Sequence, residues 1–568
     1  MTFDHVIVGG GSAGAVLANR LSADPSRRVL LLEAGADTPP GQVPAAVLDA
    51  YPSIAYFNSA WHWRDLRVDY ELLRGNRPFV PRRYEQARLM GGGSSINGMM
   101  AIRGNPSDYD EWAERGARGW SFEEVLPYFK RAETDLDYDG PLHGKDGPFP
   151  IRRIREPEWP GFARAVRKAM LAEGFAELED HNAEFGDGLF PMAINNRPGG
   201  ARDGTRVSTA IAYLDEKTRA RPNLEIWPQV MVERVTFEGR RATGVAIVRD
   251  GERRHVAARD VVISCGAFHS PAMLMRSGIG PARHLADKGI AVVADRAGVG
   301  QGLQDHPTCT LIGHVQKQWR MPPDMRRHIH MGLRYSSGRD DCAAGDMFLI
   351  ANNRGGWHPL GHLLAGLVIV VNKPYSEGEV KLTSADPLAE PEIHFNQFSD
   401  SRDLERLVDA VRLSYRLMTR PEIAGGLHGL FPSTFSEKAR DLAVVSTSNW
   451  LQTKAAALML DFPATRRWMM ERHVSPGIDI HRLINDAQGL TDWVREKACG
   501  SWHASCTNRM GAPDDPRAVV DPGCAVIGVE GLHVADASVM PCVPSCNTNL
   551  PTIMVAEKAS DAILGRTL

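Results

Sequence analysis

Three glycines and one acid near the start of the chain can bind a dinucleotide. Gly9-Gly10-Gly11-Ser12-Ala13-Gly14 spells G-x-G-x-x-G, and Glu33 follows about twenty positions later. Gly9 permits a tight turn, Gly11 lets the backbone approach a pyrophosphate, and Gly14 lets a helix pack closely on a sheet. Ser12 and Ala13 lie in the same turn as candidates to bind the cofactor, and the helix that follows presents free N–H groups and a positive dipole end to the phosphates. Glu33 can accept hydrogen bonds from a ribose diol. Three glycines alone also make an ordinary turn. What raises this set above a turn is its register. Phe3 to Val8 reads as a buried strand, Ala15 to Leu21 as helix, and Arg28 to Leu32 as a second strand ending at Glu33. The motif by itself does not separate NAD from FAD.

Two further stretches hold reactive types. Ser501 to Gly511 is polar, rich in small residues and contains one histidine, His503. A neutral imidazole can take a proton near physiological pH. A single His among nineteen is ordinarily structural, however. Cys546-Asn547-Thr548-Asn549 opens a helix running to about Leu564, where an asparagine pair can be capping alone. The strand before it, Gly531 to Ser538, ends in Asp536. Ala87 to Asn97 is a glycine–serine cluster that cannot be mid-helix or mid-strand. It offers bare N–H groups where backbone runs along a flat ligand, and it reads equally as a flexible loop.

These residues need elements to hold them. Leu224 to Trp227, Val230 to Phe237, Ala242 to Arg249 and Val256 to Cys265 alternate as strands. Cys265 runs into a turn at Gly266, and a short helix follows Pro271. Ser121-Phe122-Glu123-Glu124 caps a helix, and Trp159 to Gly174 is amphipathic. Arg202 to Leu214, with Arg206, returns the chain to the first domain. Gln316 to His330 is basic and aperiodic and reads as an exposed excursion or lid. In it His328 and His330 lack an acid or cysteine to complete a metal set. Strands recur around Met347 to Asn352 and Gly366 to Lys373, and Leu404 to Met418 has helical spacing.

Composition excludes other classes. A net charge of −3 leaves no basic excess for nucleic acid or anionic membrane. The longest apolar run, Leu363 to Val371, contains Gly366 and is too short to span a bilayer. The first strand starts within five residues of Met1, leaving no room for a signal peptide. The eight cysteines include no CxxC pair and are expected to be reduced thiols in a cytoplasmic protein. Cys542 and Cys546, though close, read as bystanders.

Four blocks in order resemble the glucose–methanol–choline family of flavin oxidoreductases: the stretch from Ala87, the Gly266 to Gly280 stretch, His503 and Asn547. The likeness covers nearly the whole chain. Gly266-Ala267, Ser270-Pro271, Met273-Leu274 and Ser277-Gly278-Ile279-Gly280 fit the family's second signature throughout. The first signature fits except at Met90, where Leu, Ile or Val is usual. Tyr84-Glu85-Gln86, Trp502-His503-Ala504-Ser505 and Asn547 to Thr552 are most similar to bacterial oxidases of furanic and aryl alcohols.

The resemblance implies FAD, and His503 beside the flavin as base with Asn547 as its partner. It implies that Arg88, Gly92, Gly93, Ser94, Asn97, Gly98 and Met99 face the flavin. Val232 would sit at the adenine. Trp502, Asp536, Ala537, Asn547 and Thr548 would complete the cofactor site, and Met100, Val370, Ser501 and Trp502 the substrate pocket. Ile96 stands where some members attach flavin through histidine, so non-covalent FAD is expected. Ser501 stands where oxidases carry an apolar residue, which makes that spot wetter. Val370 stands where a furan-oxidising member carries an aromatic, which implies a roomier pocket.

The expected fold is α/β. A discontinuous Rossmann-like FAD domain (1–160, 205–312 and 495–568) is joined to an α+β substrate domain (161–204 and 313–494). The expected reaction oxidises a small primary aryl or furanic alcohol to the aldehyde, with oxygen reduced to hydrogen peroxide. A same-family dehydrogenase passing electrons to a quinone is the alternative, and a hydroxynitrile lyase a remote one. Metal and nucleic-acid partners are not expected, and the oligomeric state is left open.

Overall fold

The computed structural model describes residues 2–71, 78–198, 204–433, 437–469 and 478–566. Its centre is a seven-stranded sheet. The opening strand Thr2–Val8 lies parallel to Val29–Leu32 on one side and to Glu252–Ile263 on the other, with Val8 opposite both Leu32 and Ile263. Leu224–Trp227 extends the sheet beyond Val29–Leu32. Leu532–Val534 pairs with the end of Glu252–Ile263, whose beginning joins the antiparallel hairpin Met231–Glu238 and Arg241–Arg249. The central strands are continuous apolar runs because both faces are covered. Val6, Ile7, Leu30, Leu31, Val261 and Val262 are wholly buried.

Helix Ser12–Leu21 covers this sheet beside the last helix, Asn549–Ile563. A buried acid ties them together. Glu557 is 0% exposed and takes Arg20 at 2.7 and 2.8 Å, Arg131 at 2.7 Å and the Tyr213 hydroxyl at 2.8 Å. The two guanidiniums reach it from partly solvated positions, so the carboxylate alone is fully desolvated and needs all three donors.

A second, antiparallel sheet of six strands runs in the order 427–433, 308–315, 364–371, 347–352, 329–335 and 188–191. Its central strands alternate. Leu311, Leu349, Leu367 and Ile369 belong to the core shared with helix Ser401–Thr419. Thr308, Thr310, Phe348, Ile350, Val368 and Val370 point the other way and floor a cavity. A period of two is what a sheet with one packed and one open face requires.

The segment 316–330 corrects the reading of an exposed excursion. Met321, Met325, Arg327, Ile329 and His330 are buried. Arg327 donates to Ile329 O and to Gly98 O, which fastens the segment to the glycine cluster. His328 lines the cavity. The segment is basic because Arg327 serves buried carbonyls and Arg320 and Arg326 pair with Asp461 and Asp49, and contacts of that kind leave no apolar periodicity to read. All eight cysteines are free thiols. Among the described residues, no helix is long and apolar enough to cross a membrane.

Replacing Glu557 by Ala removes the carboxylate from Arg20 and Tyr213 and leaves Arg131 with Asp561 alone. The expected cost is about 3 kcal/mol of stability, read as a lowered urea midpoint at unchanged slope.

Candidate active site

One cavity of about 760 Å³ runs from the opening βαβ unit to the floor of the second sheet. At the first end the backbone makes the shape. Gly9 has φ +101°, and a Cβ on Gly14 would lie 1.8 Å from Gly9 O, so the helix packs directly on the turn. Gly11 faces space, with nothing closer than 3.9 Å to an added Cβ, and Gly93 meets nothing within 4 Å. Helix Ser12–Leu21 starts at the cavity with no side-chain cap. Its first N–H groups therefore await an acceptor. Glu33 lines the wall, and its oxygens accept the N–H groups of Gly10 at 2.8 Å and Gly35 at 2.7 Å. Burial raises its pKa against those two bonds. This is a cradle that fits a dinucleotide.

Of the residues expected to touch the cofactor, Gly9, Gly11, Ser12, Ala13, Glu33, Gly92, Gly93, Asn97, Gly98, Met99, Val232, Trp502, Asp536, Ala537, Asn547 and Thr548 line this cavity. Gly14 and Ser94 lie behind the wall. Ser94 is buried and hydrogen-bonds Gly91 O and Thr209 Oγ1. Arg88 is exposed, stacks on Trp63 at 4.8 Å and donates to Ala34 O. Asp536 acts as a bracket, accepting from Gly266 N, Ser270 Oγ and Ser538 N at 2.6–2.8 Å. Met100, Val370 and Ser501 line the cavity as well. The Ser501 hydroxyl is engaged, donating to His306 O at 2.9 Å.

His503 stands at the meeting of the two halves. Trp502 before it has φ +61°, a left-handed backbone unusual for a bulky residue. Its indole is anchored by Glu85 Oε2 at 3.2 Å. That anchor offsets the strain, and the bend turns the next imidazole into the cavity. Asp305 holds the segment from behind, its Oδ1 accepting from His503 N at 2.9 Å, Ser501 N at 3.2 Å and His306 N at 2.8 Å. Burial pushes its carboxyl up to about 7 against the pull of these amides.

The protons on the imidazoles follow from one fixed acceptor. His306 Nε2 lies 3.1 Å from Pro544 O. A carbonyl only accepts, so His306 Nε2 carries the proton and Nδ1 is a lone pair. That Nδ1 lies 2.8 Å from His503 Nδ1, which must therefore donate. His503 Nε2 is left as a lone pair, and Asn547 Nδ2 donates to it at 2.9 Å. Burial and the neighbouring imidazole hold His503 well below the ordinary histidine range, and burial takes His306 down to about 4. Both rings are neutral at neutral pH. The arrangement presents one uncharged, basic nitrogen and one amide donor side by side on the cavity wall.

Asp305 and His306 were not singled out by sequence reasoning. They sit 198 and 197 positions from His503. Their only local signal is the polar, glycine-bearing run Gly300 to His306. His328, weighed with His330 only as an incomplete metal pair on a surface loop, is on the wall as well, and Arg354, also there, gave no signal at all.

Comparison with known proteins accords with this geometry. The family model described as GMC oxidoreductase matches residues 3–308 with its amino-terminal part and 374–556 with its carboxyl-terminal part. The chain belongs to the GMC oxidoreductases. It is thus an FAD enzyme that oxidises alcohols. It is 41% identical to a 5-(hydroxymethyl)furfural oxidase of Methylovorus sp., covering 99% of this chain and 98% of that one. It is 33% identical to an oxygen-dependent choline dehydrogenase of Photobacterium profundum, over 100% and 94% of the two chains. Among solved structures, pyridoxine 4-oxidase from Mesorbium loti superposes with a TM-score of 0.82 at 27% identity, covering 100% of both chains.

Two outcomes follow. A Cβ on Gly500 would fall 2.1 Å from Asp305 Oδ2. Gly500→Ala should therefore cost turnover at least about tenfold while flavin absorbance is retained. Second, His503 is held below 6.5, so its neutral form is complete above that pH. The kcat/KM of the enzyme on an uncharged alcohol should lack the acid limb of a free imidazole, and any limb near pH 7 should belong to Asp305.

Proposed function

We propose that the protein oxidises primary aryl or furanic alcohols to aldehydes, with His503 as base and oxygen as the final acceptor. The observation that carries this reading is the unprotonated Nε2 of His503 beside the Asn547 amide. On substrate binding the Asn547 amide turns its N–H from Nε2 to the substrate oxygen, and the alcohol hydroxyl gives its proton to the Nε2 lone pair so freed. The carbinol hydrogen leaves as hydride, for which FAD, when bound, supplies the acceptor. Proton and hydride leave from adjacent atoms, so fixing the oxygen also fixes the carbon. His503⁺ formed in this step is stabilised through Nδ1–H by His306, and Asp305 behind it supplies a titratable acid.

The cofactor is held without a covalent bond. The uncapped helix start at Gly11 to Ala13 takes the pyrophosphate and Glu33 the ribose. Gly92, Gly93, Asn97, Gly98 and Met99 take the isoalloxazine side, and Val232 the adenine side. Ile96, on the same wall, offers no nucleophile. Residues 1–160, 205–312 and 495–568 form the cofactor part, and 161–204 and 313–494 the substrate part. Eight free thiols support a reducing, cytoplasmic setting. The likeness to a hydroxymethylfurfural oxidase and to an oxygen-dependent dehydrogenase supports oxygen as acceptor.

Bleaching the flavin of the holoenzyme anaerobically with an aryl alcohol, then admitting air, tests the reading. Yellow colour should return rapidly with stoichiometric peroxide. Colour that returns only with a quinone would contradict the oxidase. His503→Ala should keep its FAD and lose turnover by about 10²–10⁴-fold, the scale of general base catalysis. Near-normal turnover would remove His503 from its role.

A further inference from the structure

The substrate side of the cavity carries positive charge and no acid. Its acidic lining residues are Glu33, Glu390 and Asp536. Glu33 and Asp536 serve backbone amides at the cofactor end, and Glu390 lies 2.9 Å from His269 Nε2. Among the described residues, the charged groups on the wall of the second sheet are Arg354, Lys438 and Arg440. Arg440 is matched by Glu85 at 3.1 Å. Lys438 is exposed at the rim. Such a wall repels a quaternary ammonium substrate.

Arg354 is the unusual member. It is 3% exposed. Its Nε and Nη2 donate to Gly356 O and Trp357 O, each at 2.7 Å, and its guanidinium lies 4.3 Å over the Tyr51 ring. Asp49, the acid whose charge reaches it, is already paired with Arg326. No carboxylate among the described residues is ion-paired with Arg354, which lines the cavity and whose hydrogen bonds are made by Nε and Nη2, leaving Nη1 for a ligand. Burial draws it down only to about 10, so it stays charged at neutral pH. A buried cation with neutral contacts alone lacks its counter-charge. His358 stands beside it on the wall. Its Nδ1 accepts from Gly361 N at 3.1 Å, so its Nε2 carries a proton as a second donor.

The floor sets the span. Thr308 N–H bonds Cys499 O at 2.8 Å, so the row Thr308, Val370 and Phe348 abuts the segment carrying His503. Phe348, Ile350 and Asn352 then follow along one strand toward Arg354. Four residues of strand cover roughly 13 Å. That exceeds a single ring with one substituent at each end.

We propose that Arg354, with His358, is a carboxylate subsite at the far end of the cavity. The preferred substrates are then elongated alcohols carrying a CH2OH at one end and a carboxylate roughly 10–15 Å away. This rests on the alcohol-oxidising reading for its reactive end only. The carboxylate docks on Nη1 without changing covalently.

The test uses the holoenzyme and rigid biphenyl probes. Biphenyl-4-carboxylate should bind, as read by a change in flavin absorbance, at least tenfold tighter than biphenyl-4-carboxamide. Arg354→Met should abolish that preference, and Arg354→Lys should restore part of it. In turnover, the kcat/KM ratio of 4′-(hydroxymethyl)biphenyl-4-carboxylate to its amide should fall at least tenfold in Arg354→Met, chiefly through KM. Equal binding of acid and amide by the unaltered enzyme overturns the subsite, whatever the turnover. So does a Met variant that loses both substrates in equal proportion. An enzyme that binds the acid through Arg354 but oxidises no alcohol retains the subsite and loses the reactive-end reading instead.

Discussion

The hydrogen bond from His306 Nε2–H to Pro544 O is the constraint from which the chemistry follows. The carbonyl cannot donate, so one proton is fixed in place, and two ring tautomers are settled in turn. Nothing about His503 itself selects the nitrogen that faces the cavity as the basic one. The selection is made one residue back, by backbone, in a loop that leads into the last helix. Asp305 then fixes the position of the segment carrying His503 through the amides of Ser501 and His503. Placement thus comes from Asp305 and tautomer from His306 beside it, itself set by Pro544 O, and neither requires a charge on His503.

The rest of the fold serves to bring that loop to the cradle. Pro544 and Asn547 lie just before helix Asn549–Ile563, and Glu557 on that helix grips Arg20 of the opening helix. The opening helix and the helix that follows Pro544 and Asn547 are therefore one packed unit. The second sheet contributes a floor whose outward face is apolar near His503 and cationic at the far end. Charge is placed where binding occurs and kept away from the reacting atoms. A neutral imidazole beside a buried cation would otherwise lose basicity.

The sequence showed some of this plainly. The βαβ unit was legible because three glycines, a buried strand and Glu33 stand in register, and each is demanded by local geometry. The strands between 224 and 263 were legible from alternation, and they appear at Leu224–Trp227, Met231–Glu238, Arg241–Arg249 and Glu252–Ile263. The segment 316–330 misled because Arg327 faces inward to carbonyls at Gly98 and Ile329 and Arg326 and Arg320 pair with Asp49 and Asp461, and composition alone reads charge as solvent exposure. Asp305 and His306 were hidden for another reason. Their work is done on residues nearly two hundred positions away, and a tautomer is a property of a contact network. Arg354 was invisible because an unmatched buried cation can be recognised only when its surroundings are seen.

The most direct measurement is neutron diffraction from crystals of the holoenzyme exchanged into deuterated solvent near neutral pH. The account requires deuterium on Nδ1 of His503 and on Nε2 of His306, with none on Nε2 of His503. Deuterium on His503 Nε2, pointing at Asn547, would contradict it, because the nitrogen facing the cavity would then have no lone pair to receive the substrate's proton.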